Sequence, residues 1–472
     1  MKLYDKAAKL CFILNKYGYE AYFVGGCVRD MLLNNEPHDI DITTNATPNE
    51  IKKVFEKENI SYFNLGEKFG TIVPLYRGEM FEITTYRTEQ EYSDGRHPDE
   101  VKFTTSLTKD LARRDFTINA IAMNPNDKMI IDPFGGVQDI KNKIIKAVGN
   151  ANDRFTEDGL RILRAIRFAI RYDFNIDEET GKAIIANKDK LKNVSKERIT
   201  DEFRKIFSYN KPVKKIFNQY SEIIFEIFPE MKVLKGCEQN NKYHYHDVWE
   251  HSLSVVDGIH NNNFILNLAG LFHDIGKYET KTTANDGMDH FFGHPVISAK
   301  IVESMCLPTP NNLHKRLILS SDEYNRLYNL VLKHDFNFAL NKKQIKRCLA
   351  EYGEDFLLQW KQLSNADFND HIIPKDITDE KLSNWHTSDE KMYELLKEIH
   401  KANSALSIKD LALKGNDLIE LGIEKGPQIG IILKDIFNKV LDEKINNTKE
   451  DLTEYIVNNY IKDKIDDIEI DI

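Results

Sequence analysis

Residues 25–42 read GGCVRDMLLNNEPHDIDI and follow the short apolar run Tyr22-Phe23-Val24. That run stops at Gly25-Gly26, and Cys27 to Leu33 then has helical spacing with Arg29 near its start. The pattern predicts a strand, a glycine turn and a helix amino terminus. Such a turn lets backbone N–H groups approach a phosphate, while the helix dipole and a guanidinium add positive potential. Next, His38-Asp39-Ile40-Asp41-Ile42 alternates acidic and apolar residues at the period of a strand, which puts Asp39 and Asp41 on one face. Two carboxylates held side by side repel unless cations sit between them, and octahedral Mg²⁺ prefers carboxylate plus triphosphate oxygens. The outline is that of metal-dependent phosphoryl or nucleotidyl transfer. An isolated Asp-x-Asp is usually a solvated strand edge, so the rest of the chain has to decide.

The chain has 472 residues, long enough for about three domains at roughly 150 residues each. Hydrophobic residues make up 41% and charged residues 30%, the balance of a globular protein with ample core material. No apolar run reaches the roughly 18 residues needed to span a bilayer, and the amino terminus MKLYDKAAKL begins a helix pattern rather than a signal peptide. A cytoplasmic location is expected. Cys11, Cys27, Cys237, Cys306 and Cys348 lack Cys-x-x-Cys spacing and read as packing residues. With a net charge of −10, any nucleic-acid site must be a local basic groove, and acidic segments such as 466–471 carry the negative balance elsewhere.

The first 140 or so residues mix strand-like runs with helices, whereas everything beyond about residue 150 reads as helix after helix. Breaker-rich boundaries fall near 141–152, 236–243 and 373–379.

Segment 25–42 resembles the first motif of the class II tRNA nucleotidyltransferase and bacterial poly(A) polymerase family, in the DNA polymerase β superfamily. The resemblance continues through RRDFTINA (113–120), DPFGG (132–136), EDGLR (157–161) and SKER (195–198). It implies that Asp39 and Asp41 hold Mg²⁺ and that Gly25, Gly26 and Arg29 belong to a triphosphate site. Arg113, Arg114, Asp115 and Asn119 would contact the incoming nucleotide. Glu82, in the alternating run Phe81 to Thr84, is either a third supporting carboxylate or an exposed strand residue. The stretch 86–98, polar with Gly95 and Pro98, is similar to the loop the family uses to switch from C to A addition. Read without the resemblance, it is a mobile surface loop unlikely to pack.

Thr156-Glu157-Asp158 reads as a helix start with Thr156 as N-cap, and Leu160 to Tyr172 as the helix that follows. Arg161, Arg164, Arg167 and Arg171 fall on the arc opposite the apolar residues, which by periodicity alone is a solvated face. An acid with an arginine three residues on presents an acceptor beside donors. Cytosine and adenine both offer an amino donor beside a ring acceptor, whereas uracil and guanine would face the acid acceptor to acceptor. In the resembled family Glu157, Asp158 and Arg161 would be the amino-acid template for CTP and ATP, with Arg164 and Arg167 helping to hold the nucleotide.

His251, His273-Asp274, His294, His334 and Asp367 occur in that order across a helical region. Adjacent His273 and Asp274 on a helix can both reach one cation. The set resembles the HD phosphohydrolase domain, which implies that His251, His273, Asp274 and Asp367 bind one divalent metal and that His294 and His334 support a second. The segment 413–430 resembles the tRNA-holding tail of the bacterial enzymes, with backbone amides at Gly426 to Gly430 opening a helix.

The fold expected is α+β, with a polymerase β-like head at 1–140, a helical neck and body at 141–235, an HD domain at 240–372 and a helical tail at 380–472. The expected function is addition of C, C and A from CTP and ATP to the 3′ end of tRNA, with HD phosphohydrolase activity in end repair. The alternatives are an A-adding enzyme or poly(A) polymerase, and an HD phosphohydrolase whose head only binds RNA. The partners implied are tRNA, CTP and ATP, with no membrane.

Overall fold

The computed structural model describes residues 2–90, 100–240, 246–307, 315–336, 341–370, 379–402 and 404–461. The head is built on strands β1 (Ala21–Val24), β2 (Ile42–Thr44), β3 (Ser61–Phe63), β4 (Thr71–Tyr76), β5 (Glu79–Met80), β6 (Ile83–Thr85), β9 (Ala122–Met123) and β10 (Ile130–Ile131), while β7 (Arg87–Gln90) and β8 (Glu100–Phe103) form a separate hairpin. The sheet order is β10-β9-β1-β2-β6-β4-β3, with β5 paired to β4. Within this sheet β2 and β6 run parallel, while β1 pairs antiparallel with both β2 and β9. The helix Pro48–Lys57 is nucleated locally, with proline at its first position and the Thr47 N–H donating to Glu50 Oε2 at 2.8 Å. It and the helix Leu3–Lys16 bury Leu10, Leu14, Ile51 and Phe55 in the core.

From Ala151 onward helices dominate, as the sequence pattern predicts. The apolar core that starts in the head continues through Trp249, Leu268 and Trp360 to Ile399, and a second cluster joins Leu418, Ile436 and Leu452 in the tail. All five cysteines are buried and unpaired, as packing residues should be. No helix among the described residues is long and apolar enough to cross a membrane.

Four local expectations are corrected. Asp39 and Asp41 lie in an extended approach to β2 rather than on the strand, which begins at Ile42. The ladder cannot reach back further because β1 turns away at Gly25, where φ is +79°; the last contact is Val24 N–H to the Asp41 carbonyl at 3.1 Å. Thr156 is not an N-cap: it lies inside the helix Ala151–Glu157, and Asp158 opens the next helix by accepting the Leu160 N–H at 3.0 Å. The arginine face of Leu160–Tyr172 is not solvated, since Arg161 and Arg167 are buried. Of the stretch 86–98, Tyr86 is fully buried with its hydroxyl donating to Glu20 at 3.2 Å, and β7 is zipped to β8; residues 91–99 lie outside the described residues, as do 371–378 and the acidic segment 466–471.

Candidate active site and metal centre

The parallel register Ile42↔Ile83 places Asp41 and Glu82, each one residue earlier, side by side, and the Ile42 N–H donates to the Glu82 carbonyl at 2.9 Å. Ile40 is buried, whereas Asp39 and Glu82 are exposed and Asp41 is half-buried, so the carboxylates share one side. Burial, then the charges of Asp39 and Glu82, push the Asp41 carboxyl up from 3.8 to about 6, against the pull of Arg114. Asp41, half-buried with the carboxylates of Asp39 and Glu82 beside it, is a donor that a divalent cation would suit.

Gly25 is required beside them. Its positive φ suits glycine, and a Cβ there would stand 2.7 Å from Arg114 Nη1. Arg114 Nε is buried without a hydrogen-bond partner, and burial lowers its pKa. Arg29, predicted at the triphosphate, is instead buried and engaged. It donates to Asp30 Oδ1 at 2.9 Å and to Asn119 Oδ1, and its guanidinium lies 4.8 Å from the Tyr172 ring centre. Asn119 donates to Asp115 Oδ1 at 3.0 Å, and Arg164 donates twice to Asp115 Oδ2 at 2.8 and 2.6 Å. Burial alone would raise the Asp115 carboxyl, but Arg164 and Asn119 hold it well below the usual carboxylate range. This chain of contacts joins the glycine turn to the helix Leu160–Tyr172.

At the start of that helix Asp158 sits in the break between two helices. Arg198 grips Asp158 through both oxygens, at 3.2 and 2.7 Å. Arg161 pairs with Glu157 at 2.5 Å and donates to the carbonyls of Arg154 at 3.2 Å and Arg113 at 3.1 Å. Arg167 pairs with buried Glu202 at 2.5 Å and donates to the Tyr209 hydroxyl. Arg113 is held by Asp110 at 2.9 Å.

The six predicted HD residues converge. His251 Nε2 lies 3.0 Å from Asp367 Oδ1, and Asp274 Oδ2 is 3.2 Å from His273 Nε2 and 3.5 Å from His251 Nε2. Asp274 Oδ1 faces the other pair, 3.1 Å from His294 Nε2 and 3.6 Å from His334 Nε2. The Nδ1 atoms of His273, His294 and His334 donate to the carbonyls of Gly270, Phe291 and Val331 at 2.9, 2.9 and 2.7 Å, which turns each Nε2 toward Asp274. His273 Nε2 is buried and makes no hydrogen bond. Two sets, His251/His273/Asp274 and Asp274/His294/His334, each bring three donor atoms within 4.8 Å of one another, so the residues fit divalent metal and share Asp274. His273 and Asp274 lie just past the helix Phe264–Phe272 rather than within it, with His273 still in a right-handed helical conformation.

Family models match in chain order: a poly A polymerase head domain over residues 21–146, a probable RNA and SrmB-binding site of polymerase A over 173–234, an HD domain over 243–367 and a putative tRNA nucleotidyltransferase domain 2 over 336–456. A CCA-adding enzyme of Lactobacillus johnsonii is 34% identical over 461 residues, 95% of each chain. The chain belongs to the CCA-adding enzyme family. A CCA-adding enzyme of Lactobacillus helveticus is 50% identical over 204 residues, a match that spans 43% of this chain and only 50% of that one. The crystal structure of a Bacillus stearothermophilus CCA-adding enzyme in complex with CTP has a TM-score of 0.67 at 25% identity, covering 99% of this chain and all of that one. A Thermotoga maritima CCA-adding enzyme complexed with tRNA shares the fold, with a TM-score of 0.56 at 22% identity over 96% of this chain and 95% of that one.

For a chain of the CCA-adding enzyme family, sequence reading missed four residues that hold the sites: Asp30 on Arg29, Arg198 on Asp158, Asp370 Oδ2 at 2.9 Å from His251 Nδ1, and Lys277 at 2.6 Å from Asp274 Oδ2. Arg198 had a signal, since it closes the motif SKER, and Lys277 follows Asp274 by three residues. Nothing local to Asp30 or Asp370 marks them.

Proposed function

We propose that this chain adds C, C and A from CTP and ATP to the 3′ end of tRNA. One observation carries the reading: the helix bearing the base-selecting segment is stitched to the nucleotidyl-transfer motif, Arg161 to the Arg113 carbonyl and Arg164 to Asp115. A base held at Asp158 and a triphosphate held near Gly25 and Arg114 are thereby kept in fixed relation.

Asp39 and Asp41, with Glu82 beside them, would hold Mg²⁺. When bound, that ion supplies charge neutralisation on the triphosphate and activation of the RNA 3′-hydroxyl. Gly25 and Gly26 let the turn pack closely against the guanidinium groups of Arg114 and Arg29, and the unpartnered Arg114 Nε would be a donor for phosphate oxygens. Arg29, Asp115 and Asn119 brace the wall rather than touch phosphate. Asp158 keeps acceptor capacity: Oδ1 takes Leu160 N–H and one Arg198 donor, while Oδ2 takes a single Arg198 donor and retains a lone-pair position for the amino group of cytosine or adenine. Uracil and guanine would present an oxygen there.

The HD residues form a separate centre for a divalent ion, suited to hydrolysing terminal or cyclic phosphates on RNA ends before repair. In this reading the head covers 1–140, the neck and body 141–235, the HD domain 240–372 and the tail 380–472, and the protein works in the cytoplasm with its tRNA. The test is label incorporation from each nucleotide separately into tRNA ending before CCA, into tRNA ending in CC, and into an unrelated RNA. Addition of C to the first, A to the second and neither to the third is expected; A alone on all three overturns the reading.

A further inference from the structure

Asp110, on the helix Leu107–Ala112, is fully buried, yet it ties together β2, β7 and the arginine pair that follows its own helix. Its Oδ1 accepts Arg113 Nε at 3.0 Å and, where β7 begins, the Arg87 backbone N–H at 3.3 Å. Its Oδ2 accepts the Thr43 hydroxyl at 3.3 Å and lies 3.7 Å from Arg114 Nη2. Thr43 stands on β2, two residues after Asp41. A carboxylate so deep is costly unless cations and donors surround it, and here two guanidiniums, a hydroxyl and an amide do. Burial lowers the Arg114 pKa, and Asp110 is the largest of the charges that oppose that pull.

The two arginines lead to opposite ends of the nucleotide site. The Arg113 carbonyl accepts Arg161 at 3.1 Å, and Arg161 pairs with Glu157 next to Asp158. Arg114 lies against the glycine turn, its Nη1 only 2.7 Å from where a Gly25 Cβ would stand. Among the described residues Asp110 makes the only ion pair with Arg114, whose Nε has no partner. At 0% exposed, Asp110 can itself touch neither base nor phosphate. Stability does not call for such a group, because a buried ion cluster replaced by apolar side chains of similar volume is often as stable. Aim does call for it: a long guanidinium side chain points one way only when a fixed acceptor holds it.

We propose that Asp110 is a positioning residue for nucleotide addition, aiming Arg114 at the triphosphate and holding Arg113, and through its carbonyl Arg161, in register with the base. The proposal rests on the reading of Arg114 as a triphosphate donor. One buried carboxylate then sets both ends of the incoming nucleotide without meeting it.

The test is steady-state kinetics of C addition to tRNA ending before CCA and of A addition to tRNA ending in CC, by the full chain carrying Asp110→Asn, Arg114→Gln or both, with thermal melts of each. Asparagine keeps the shape of the side chain and removes its charge. In Asp110→Asn, KM for CTP and for ATP should both rise about 10-fold, the loss expected for a charged hydrogen-bond partner. Its kcat should stay close to the parent's, because the metal ligands and the RNA 3′-hydroxyl are untouched. Added to Arg114→Gln, Asp110→Asn should raise KM by less than about 3-fold, since the two residues act in series. A group that only held the fold would lower the melting temperature and leave both KM values in place. Parental KM in Asp110→Asn therefore overturns the proposal, as does full multiplication of the two effects in the double variant. Should Asp110→Asn not fold, Thr43→Val removes one anchor of the same carboxylate and keeps its charge; KM should rise about 3-fold, and a parental value overturns the proposal. Parental KM in Arg114→Gln overturns the triphosphate reading instead.

Discussion

Arg198 closes on Asp158 through both carboxylate oxygens although 40 residues separate them, so the acid that would read the base is fixed by a second helix. A carboxylate clamped on one side presents its remaining lone pair in one direction, which is what discrimination between an amino group and a carbonyl requires.

Asp158→Ala should therefore relax base choice. Incorporation of UTP relative to CTP should rise by roughly 5- to 150-fold, the equivalent of about 1 to 3 kcal/mol for a good base contact. Arg198→Ala should shift the same ratio by less, because the acid survives but loses its orientation. Competition assays with paired nucleotides measure it, and an unchanged ratio in Asp158→Ala would remove Asp158 from base selection.

Asp39→Ala or Asp41→Ala should lower nucleotide addition by about 10³-fold or more, through loss of a metal ligand where charge develops. Thermal melts should show both variants folded. Near-parental single-turnover rates for both would refute the assignment of the head site.

The raised Asp41 pKa has a sign that can be tested. Ionised Asp41 costs stability in the folded, metal-free chain, so the penalty is full above about pH 6 and gone below about pH 4. Asp41→Asn should raise the melting temperature of the metal-free protein near pH 8, by up to about 3 kcal/mol of stability, and bring no gain near pH 4. Adding Mg²⁺ should stabilise the parent and not the variant. Equal melting-temperature gains at both pH values would show that the carboxylate cluster is not under repulsion.

His273→Ala combined with Asp274→Asn should abolish divalent-metal binding at the HD centre while CCA addition continues. Metal content after dialysis, with hydrolysis of 2′,3′-cyclic phosphate ends, reads the first effect and nucleotide incorporation the second. Parental metal content in the variant would dismiss the histidine cluster as a metal site.

Gly25→Ala should destabilise the head by about 1 to 3 kcal/mol, since the new Cβ meets Arg114 Nη1 at 2.7 Å in a left-handed backbone position. KM for both CTP and ATP should rise as Arg114 is displaced. Parental KM values would place the triphosphate elsewhere.

The sequence by itself determined the family. The motifs 25–42, 113–120 and 157–161 and the ordered histidines are short patterns in which residue type and spacing carry the signal, and the helix Leu160–Tyr172 was bounded correctly from periodicity alone. Periodicity failed where a tertiary partner overrode it. It took Arg161 and Arg167 for a solvated face, yet Glu157 and Glu202 neutralise them inside. It put Asp39 and Asp41 on a strand, though a ladder extends only as far as its partner strand does. Only the folded chain decided that Glu82 stands beside Asp41, that Arg29, expected at the triphosphate, is engaged with Asn119, and that Asp370 orients His251 from 119 residues away. Such contacts join residues far apart in sequence, where no spacing rule applies, and they exist because packing of the core holds those backbones side by side.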